Sequence, residues 1–174
     1  MSIDEQLARE GIRACLARLA RGEDRRDAGL IRSAFWPEAR LDYGVFEGDF
    51  AAYLAWVVPG SEAILNTQHV LGQSYIELSG GTAKAETQVI SYHRFAFGAG
   101  DERDSTIGGR YLDAFEQREG EWRIAARTMI YDWLQDGGAA VDWGQGLMGN
   151  PLSAPHFAGR AHGDWSESFF GASA

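Results

Sequence analysis

The chain has 174 residues, 45% of them apolar, which suits one folded domain with its own core and excludes a disordered chain. The formal charge is −9, unevenly spread: residues 1–40 hold eight Arg against seven acids, and residues 41–174 hold eight cations against eighteen acids. That surface repels nucleic acid and anionic membrane, so neither is expected as a partner.

No apolar run approaches the roughly 20 residues that span a bilayer. The N-terminal MSIDEQLARE is acidic and has no apolar signal core. Cys15 is the single cysteine, so no internal disulfide can form. These features agree with a cytoplasmic location, which is the expectation.

The first helix is predicted over about Asp4 to Arg21. Ser2 is placed to cap it, and Leu7, Ile12, Cys15, Leu16 and Leu19 recur at helical spacing. Gly22 reads as its stop. A short second helix is predicted from Asp27, with Leu30, Ile31, Ala34 and Phe35 on one face and Pro37 ending it. The segment ARLDYGVFEG reads as a short strand and turn. DFAAYLAWVV then gives a third helix, capped by Asp49 and closed by Pro59-Gly60.

After residue 65 the period changes from helix to strand. NTQHVLGQSYIELSG and TAKAETQVISYHRFAFG are strand-like runs joined at Gly80-Gly81. STIGGRYLDAFEQR and EWRIAARTMIYDWL form a second pair across Glu119-Gly120. Three helices followed by two long hairpins predict an α+β domain with a curved antiparallel sheet, over about residues 1–136. Gly72, Gly108 and Gly109 inside the strand patterns predict bulges. Residues 137–174, rich in Gly, Ala and Ser, read as an irregular tail lying on the domain or on a neighbouring subunit.

Four histidines are present: His69, His93, His156 and His162. Strict alternation puts His69, Leu71, Gln73 and Tyr75 on one face of their strand, and His93 with Val89, Ser91 and Phe95 on one face of the next. Arg127 is placed with Arg123, Met129, Tyr131 and Trp133. No His has the close spacing of a metal-binding pair, so no metal is expected. There is no phosphate loop after a strand and no GxSxG elbow, and Cys15 lies within a helix pattern. By default His69 is satisfied by a neighbour, Tyr43 belongs to the core, and Arg127 forms an ion pair. The charged string RGEDRRD, Arg21 to Asp27, reads by default as a solvated connector, with Asp24 in it.

The order of these features resembles the SnoaL-like branch of the nuclear transport factor 2-like superfamily. The resemblance covers about residues 4–134. Its most specific segments are DRRD with the following PEA and DYG, and GRYLDAFE with the following GEWRIAAR. It implies a cone: a strongly bent antiparallel sheet and three N-terminal helices enclosing an apolar pocket. Enzymes of that superfamily include scytalone dehydratase, a hexachlorocyclohexane dehydrochlorinase, bile-acid dehydratase, ketosteroid isomerase and polyketide cyclases.

Carried over residue by residue, the resemblance implies a catalytic His69 with Asp24 as its partner just past the first helix. It places Arg127 to hold a developing oxyanion, Tyr43 as a donor, and His93 as a second pocket histidine. Leu19, Trp56, Phe95 and Met129 are the apolar candidates for contact with substrate. Many relatives have Tyr or Lys where this chain has Leu19, so its pocket is more apolar at that level. Glu23 stands beside Asp24 and competes for the inward direction. The implied function is a lyase (dehydratase-like) or isomerase that needs no cofactor. It would act on a small hydrophobic ring-containing ligand, with His69 as base, in a homo-oligomer (trimer or dimer). Two alternatives share the fold: a binding domain without chemistry, and the small subunit of a ring-hydroxylating oxygenase.

Overall fold

A computed structural model describes residues 2–98, 100–153, 156 and 160–170. Helix α1 spans Ile3–Arg25. Its first turn is closed by a capping box, in which Ser2 Oγ accepts from Glu5 N–H at 3.1 Å and Glu5 accepts from Ser2 N–H at 2.7 Å. The helix does not stop at Gly22. It runs one turn further, through Glu23 and Asp24, because Gly22 serves packing: a Cβ there would lie 2.9 Å from Ile31 Cγ1. The end is a Schellman motif, with Asp27 N–H donating to Gly22 O at 2.8 Å and Arg26 N–H to Glu23 O at 3.3 Å. Arg26 takes the left-handed position, with φ 51°.

Asp27 then caps α2 (Ala28–Arg32), accepting from Gly29 and Leu30 N–H. This helix is shorter than predicted. Phe35 and Pro37 already belong to strand β1 (Phe35–Asp42), and Pro37 falls where the β1 register shifts, a position that tolerates a missing N–H. A turn leads to β2 (Glu47–Asp49), and Asp49 caps α3 (Phe50–Val57). The long strands are β3 (Ile64–Ser79), β4 (Thr82–Ala96), β5 (Glu102–Arg118) and β6 (Glu121–Ala139). The turn between β5 and β6 has Glu119 and Gly120 both at positive φ, 53° and 85°, as a tight hairpin twist requires.

Among the described residues the six strands form one curved, unclosed sheet in the order β2-β1-β6-β5-β4-β3. The fold is the expected α+β cone, with one addition. β1 pairs with β6 in parallel, so the sheet is not wholly antiparallel. Strict alternation fails where the register shifts. A bulge between Leu71 and Ser74 passes the inward role from His69 and Leu71 to Ile76 and Leu78, and leaves Tyr75 69% exposed. On β6 an extra residue at Ala125 separates Arg127, which points in, from Arg123, whose guanidinium lies over the Trp36 ring. A second shift, opposite Gly108 and Gly109, removes Trp133 from the inner row of Met129 and Tyr131.

The core lies between α1 and the concave face. Ile12, Cys15, Leu16 and Leu19 of α1 meet Phe35, Ile76, Phe115, Trp122 and Ile124. Cys15 belongs to this packing; its thiol donates to Ala34 O at 3.3 Å, and burial pushes its pKa up to about 11. The irregular segment begins after residue 139, later than predicted, because β6 is longer. Part of it folds back on α1. Arg25 pairs with Asp164 at 3.3 Å, and Arg21 donates to Ser166 O at 3.0 Å and lies over the Phe170 ring. Residues 154, 155, 157–159 and 171–174 of the predicted tail lie outside the described residues. No described helix is long and apolar enough to cross a membrane.

Candidate functional site

The sheet order leaves β3 as an edge, with backbone groups that need partners. Helix α1 covers that edge and supplies them from its side chains. Arg9 donates to Ile76 O at 2.6 Å. About four turns further on, the Asp24 carboxylate accepts from the His69 backbone N–H at 3.0 Å and from His69 Nδ1 at 2.7 Å. Asp24 therefore fixes the strand and its imidazole together. With Nδ1 engaged, the ring turns Nε2 toward the interior of the cone.

That interior is a cavity of about 270 Å³. Its walls include His69, His93, Tyr43, Tyr53, Trp56 and Phe95, with Tyr111, Met129 and Tyr131. A wider groove of about 940 Å³ lies near the start of α1, along Leu7, Gly11 and Trp122, but no histidine or tyrosine lines it. The chemistry-bearing side chains converge on the smaller space. Among the described residues no group of three or more His, Cys, Asp or Glu could hold a metal ion.

The sequence is matched over residues 4–128 by the family model of the SnoaL-like domain. The chain belongs to the SnoaL-like domain family. Solved structures agree on the fold. A hexachlorocyclohexane dehydrochlorinase (LinA) type 2 is 17% identical, with a TM-score of 0.70 over 89% of this chain and 99% of its own. A candidate scytalone dehydratase from Novosphingobium aromaticivorans is 16% identical, with a TM-score of 0.68 over 78% and 91%. The beta subunit of a candidate aromatic-ring-hydroxylating dioxygenase from the same organism is 23% identical, with a TM-score of 0.61 over 75% and 93%. At these identities the likeness concerns fold. No curated protein matches the sequence.

Within this SnoaL-like cone, the expected site residues fall into three groups. His69, Tyr43, His93, Trp56, Phe95 and Met129 line the cavity, and Asp24 stands directly behind His69. Arg127 lies beneath the floor. Its guanidinium is held by both oxygens of Asp113, at 2.7 and 2.9 Å, and stacks 3.8 Å over the centre of the Tyr111 ring. Both side chains of that pair are at most 1% exposed, and Arg127 forms the ion pair of its default reading. Leu19 is a core residue at 1% exposure and does not line the cavity. The bulk of α1 packing takes its side chain into the core one turn below the site.

RGEDRRD is the last turn of a helix and its cap, not a solvated connector. Arg26, expected in solvent, donates to the carbonyls of Pro59 and Ile64 and ties the loop after α3 to the end of α1. Glu23 was missed as a wall. Its side chain is 8% exposed, and Oε2 lies 3.9 Å from His69 Nε2. Tyr53 donates to Glu23 Oε1, and Tyr43 donates to the Tyr53 hydroxyl at 3.2 Å. Glu23 and Asp24 do not compete for the inward direction. Successive residues on the last helical turn reach the two sides of one imidazole. The signal lay in their adjacency, but it became readable only once the helix was known to run past Gly22.

The two cavity histidines titrate in opposite directions. Burial alone would lower the His69 pKa. The Asp24 hydrogen bond and the charges of Glu23 and Asp24 outweigh burial and the opposing charge of Arg127, and the pKa is raised. His93 is pushed down to about 4, by burial first and then by the charge on His69. It stacks on Phe95 with ring centres 5.6 Å apart, and its Nδ1 has no hydrogen-bond partner among the described residues. Burial, reinforced by the Glu23 charge, pushes the Tyr43 hydroxyl up, so it is a donor throughout the physiological range.

Proposed function

We propose that this chain is a cofactor-independent lyase (dehydratase-like) or isomerase that moves a proton on a small hydrophobic cyclic substrate. The observation that carries the reading is the 2.7 Å bond from Asp24 to His69 Nδ1. It leaves Nε2 as the one ring nitrogen open to a ligand, inside a cavity walled largely by aromatic side chains. An imidazole so held transfers protons near neutral pH, and the carboxylate behind it fixes tautomer and orientation. Neutral His93 carries one ring N–H for an oxygen on the substrate, while the Tyr43 hydroxyl, its proton given to Tyr53, is part of the wall. Tyr111, Trp56 and Phe95 supply flat apolar walls, the complement of a ring.

The test starts with a thermal-shift screen of cyclic hydroxyketones and phenols, followed by turnover assays of the binders. His69→Gln is expected to lower turnover by about 10²–10⁴-fold while ligand-induced stabilisation persists. Near wild-type turnover in that variant would sink the proposal.

Ligand binding without turnover is the second reading. Arg127 supports it, since that cation is already neutralised by Asp113 and leaves the cavity short of an oxyanion holder. Binders that the wild type never converts would favour this reading. We also propose a homo-oligomer. Val70, Ile90 and Trp133 form an exposed apolar row across the outer face of the sheet, which a second copy would cover. Light scattering after size exclusion distinguishes monomer, dimer and trimer.

A further inference from the structure

The geometry points to Glu23 as a second proton-transfer group of this site, set opposite Asp24 so that His69 rests as the imidazolium and acts as the acid while Glu23 acts as the base. This rests on the proton-transfer reading above and reverses the role that the resemblance implied for His69. A base that rests in its neutral form needs an open flank on Nε2. Here that flank faces a second carboxylate 3.9 Å away. One oxygen of Glu23 is occupied by the Tyr53 hydroxyl. Oε2 makes no hydrogen bond among the described residues and faces the cavity beside Nε2. A donor and an acceptor at that spacing bracket a single substituent carbon and its neighbour.

The other groups around His69 leave this balance in place. Asp24, on the same helical turn, holds Nδ1. His93 on β4, its ring 6.2 Å away, is neutral because burial pushes its pKa to about 4. Tyr53 on α3, Tyr43 after β1 and Tyr111 on β5 are uncharged, their hydroxyls raised by burial. Arg127 on β6 opposes the imidazolium, but Asp113 neutralises it at 2.7 Å. Arg26 at the rim is committed to two carbonyls. Arg26 keeps its charge at the rim but is not among the groups that shift His69, so the two carboxylates dominate the field at the ring.

The step balances without a co-reactant. Glu23 Oε2 takes a proton from a carbon next to a carbonyl. The C–H electron pair becomes the new double bond as the neighbouring C–O bond breaks. The departing hydroxyl takes the proton from His69 Nε2 and leaves as water. Glu23 then returns its proton to Nε2 through a solvent molecule. Because Oε2 and Nε2 sit side by side, the proton and the hydroxyl leave from the same face of the ring. The substrate class is a cyclic β-hydroxy carbonyl compound.

The charge state of His69 is directly measurable without substrate. Nitrogen-15 spectra of the histidine side chains in the ligand-free protein, assigned by the signals lost in His69→Gln, are expected to show both ring nitrogens of His69 protonated at pH 7. In Glu23→Gln the His69 titration midpoint moves to lower pH. In Tyr53→Phe, which removes the hydroxyl but keeps the Glu23 charge, it moves less. A neutral His69 at pH 7 in the wild type, an unchanged midpoint in Glu23→Gln, or an equal fall in Tyr53→Phe would each overturn the assignment. The wild-type spectrum decides even if a variant fails to fold. Failure of the proton-transfer reading would appear elsewhere, as wild-type turnover surviving in His69→Gln, with these titrations unaffected.

Discussion

Two acid–base clusters of this cone are built on opposite rules. Arg127 and Asp113, on neighbouring strands β6 and β5, form a bidentate pair at most 1% exposed. Each charge meets its complement, and the guanidinium cannot discharge itself by losing a proton. Around His69 the pairing is unequal: two carboxylates face one imidazole, Nε2 and Glu23 Oε2 have no hydrogen-bond partner, and His93 Nδ1 is buried without one among the described residues. The first arrangement is saturated and suits a floor. The second has free valences and a titratable centre, which is what proton transfer needs.

The contrast predicts a large difference in what it costs to break each cluster. Asp113→Ala strands a buried guanidinium with no way to neutralise it and is expected to destabilise the fold by about 3–5 kcal/mol, measured by urea unfolding at pH 7. Asp24→Asn leaves an imidazole that can shed its proton. Its cost is expected at about 2 kcal/mol, the value of a charge-assisted hydrogen bond. Equal costs would erase the distinction.

That distinction was only half legible in the sequence. The helices, the two hairpins and the bulges at Gly72 and Gly108-Gly109 follow from period, caps and turn residues, all local signals. The parallel pairing of β1 with β6 is non-local and left no trace in either strand. For the site, the resemblance singled out Asp24 and His69, and the edge position of β3 explains why they meet. The ion-pair partner of Arg127 was hidden for a long-range reason. Asp113 lies fourteen residues earlier in the chain, and only strand register makes them cross-strand partners. Glu23 and Tyr53 were hidden because nothing local shows that a helix continues through a glycine or that α3 turns its tyrosine toward it.

Acid sharpens the comparison through His93. Its pKa is about 4 in the folded chain, against about 6.5 for a free imidazole. A histidine with a lowered folded pKa binds fewer protons when folded, so stability falls as pH drops below 6.5 and levels off below about 4. The full loss is about 3 kcal/mol. His93→Gln should remove that part of the acid sensitivity, read from urea midpoints between pH 7 and 4. His69 acts in the opposite sense. Its raised pKa adds stability that is complete below the unfolded value and disappears as pH rises through the folded one. If His93→Gln leaves the acid limb unchanged, the ring is not held neutral by burial.

The smallest effect is expected three residues from Asp24. Asp27 accepts from Gly29 and Leu30 N–H at 2.8 and 3.0 Å and faces no cation in the site. Asn caps a helix about as well as Asp, since the acceptor oxygen is kept. Asp27→Asn is therefore expected to change stability by no more than a few tenths of a kcal/mol. It should also leave the His69 titration where it is. Asp24→Asn makes the same chemical change on the last turn of α1, but it replaces the acceptor on Nδ1 with an amide. It is expected to lower the His69 midpoint as well as stability. The pair isolates what position does to one functional group: the two substitutions remove the same charge, and only one of them removes a partner from the imidazole. A His69 midpoint that moved equally in both variants would mean that the ring senses net charge at the helix end rather than the hydrogen bond to Asp24.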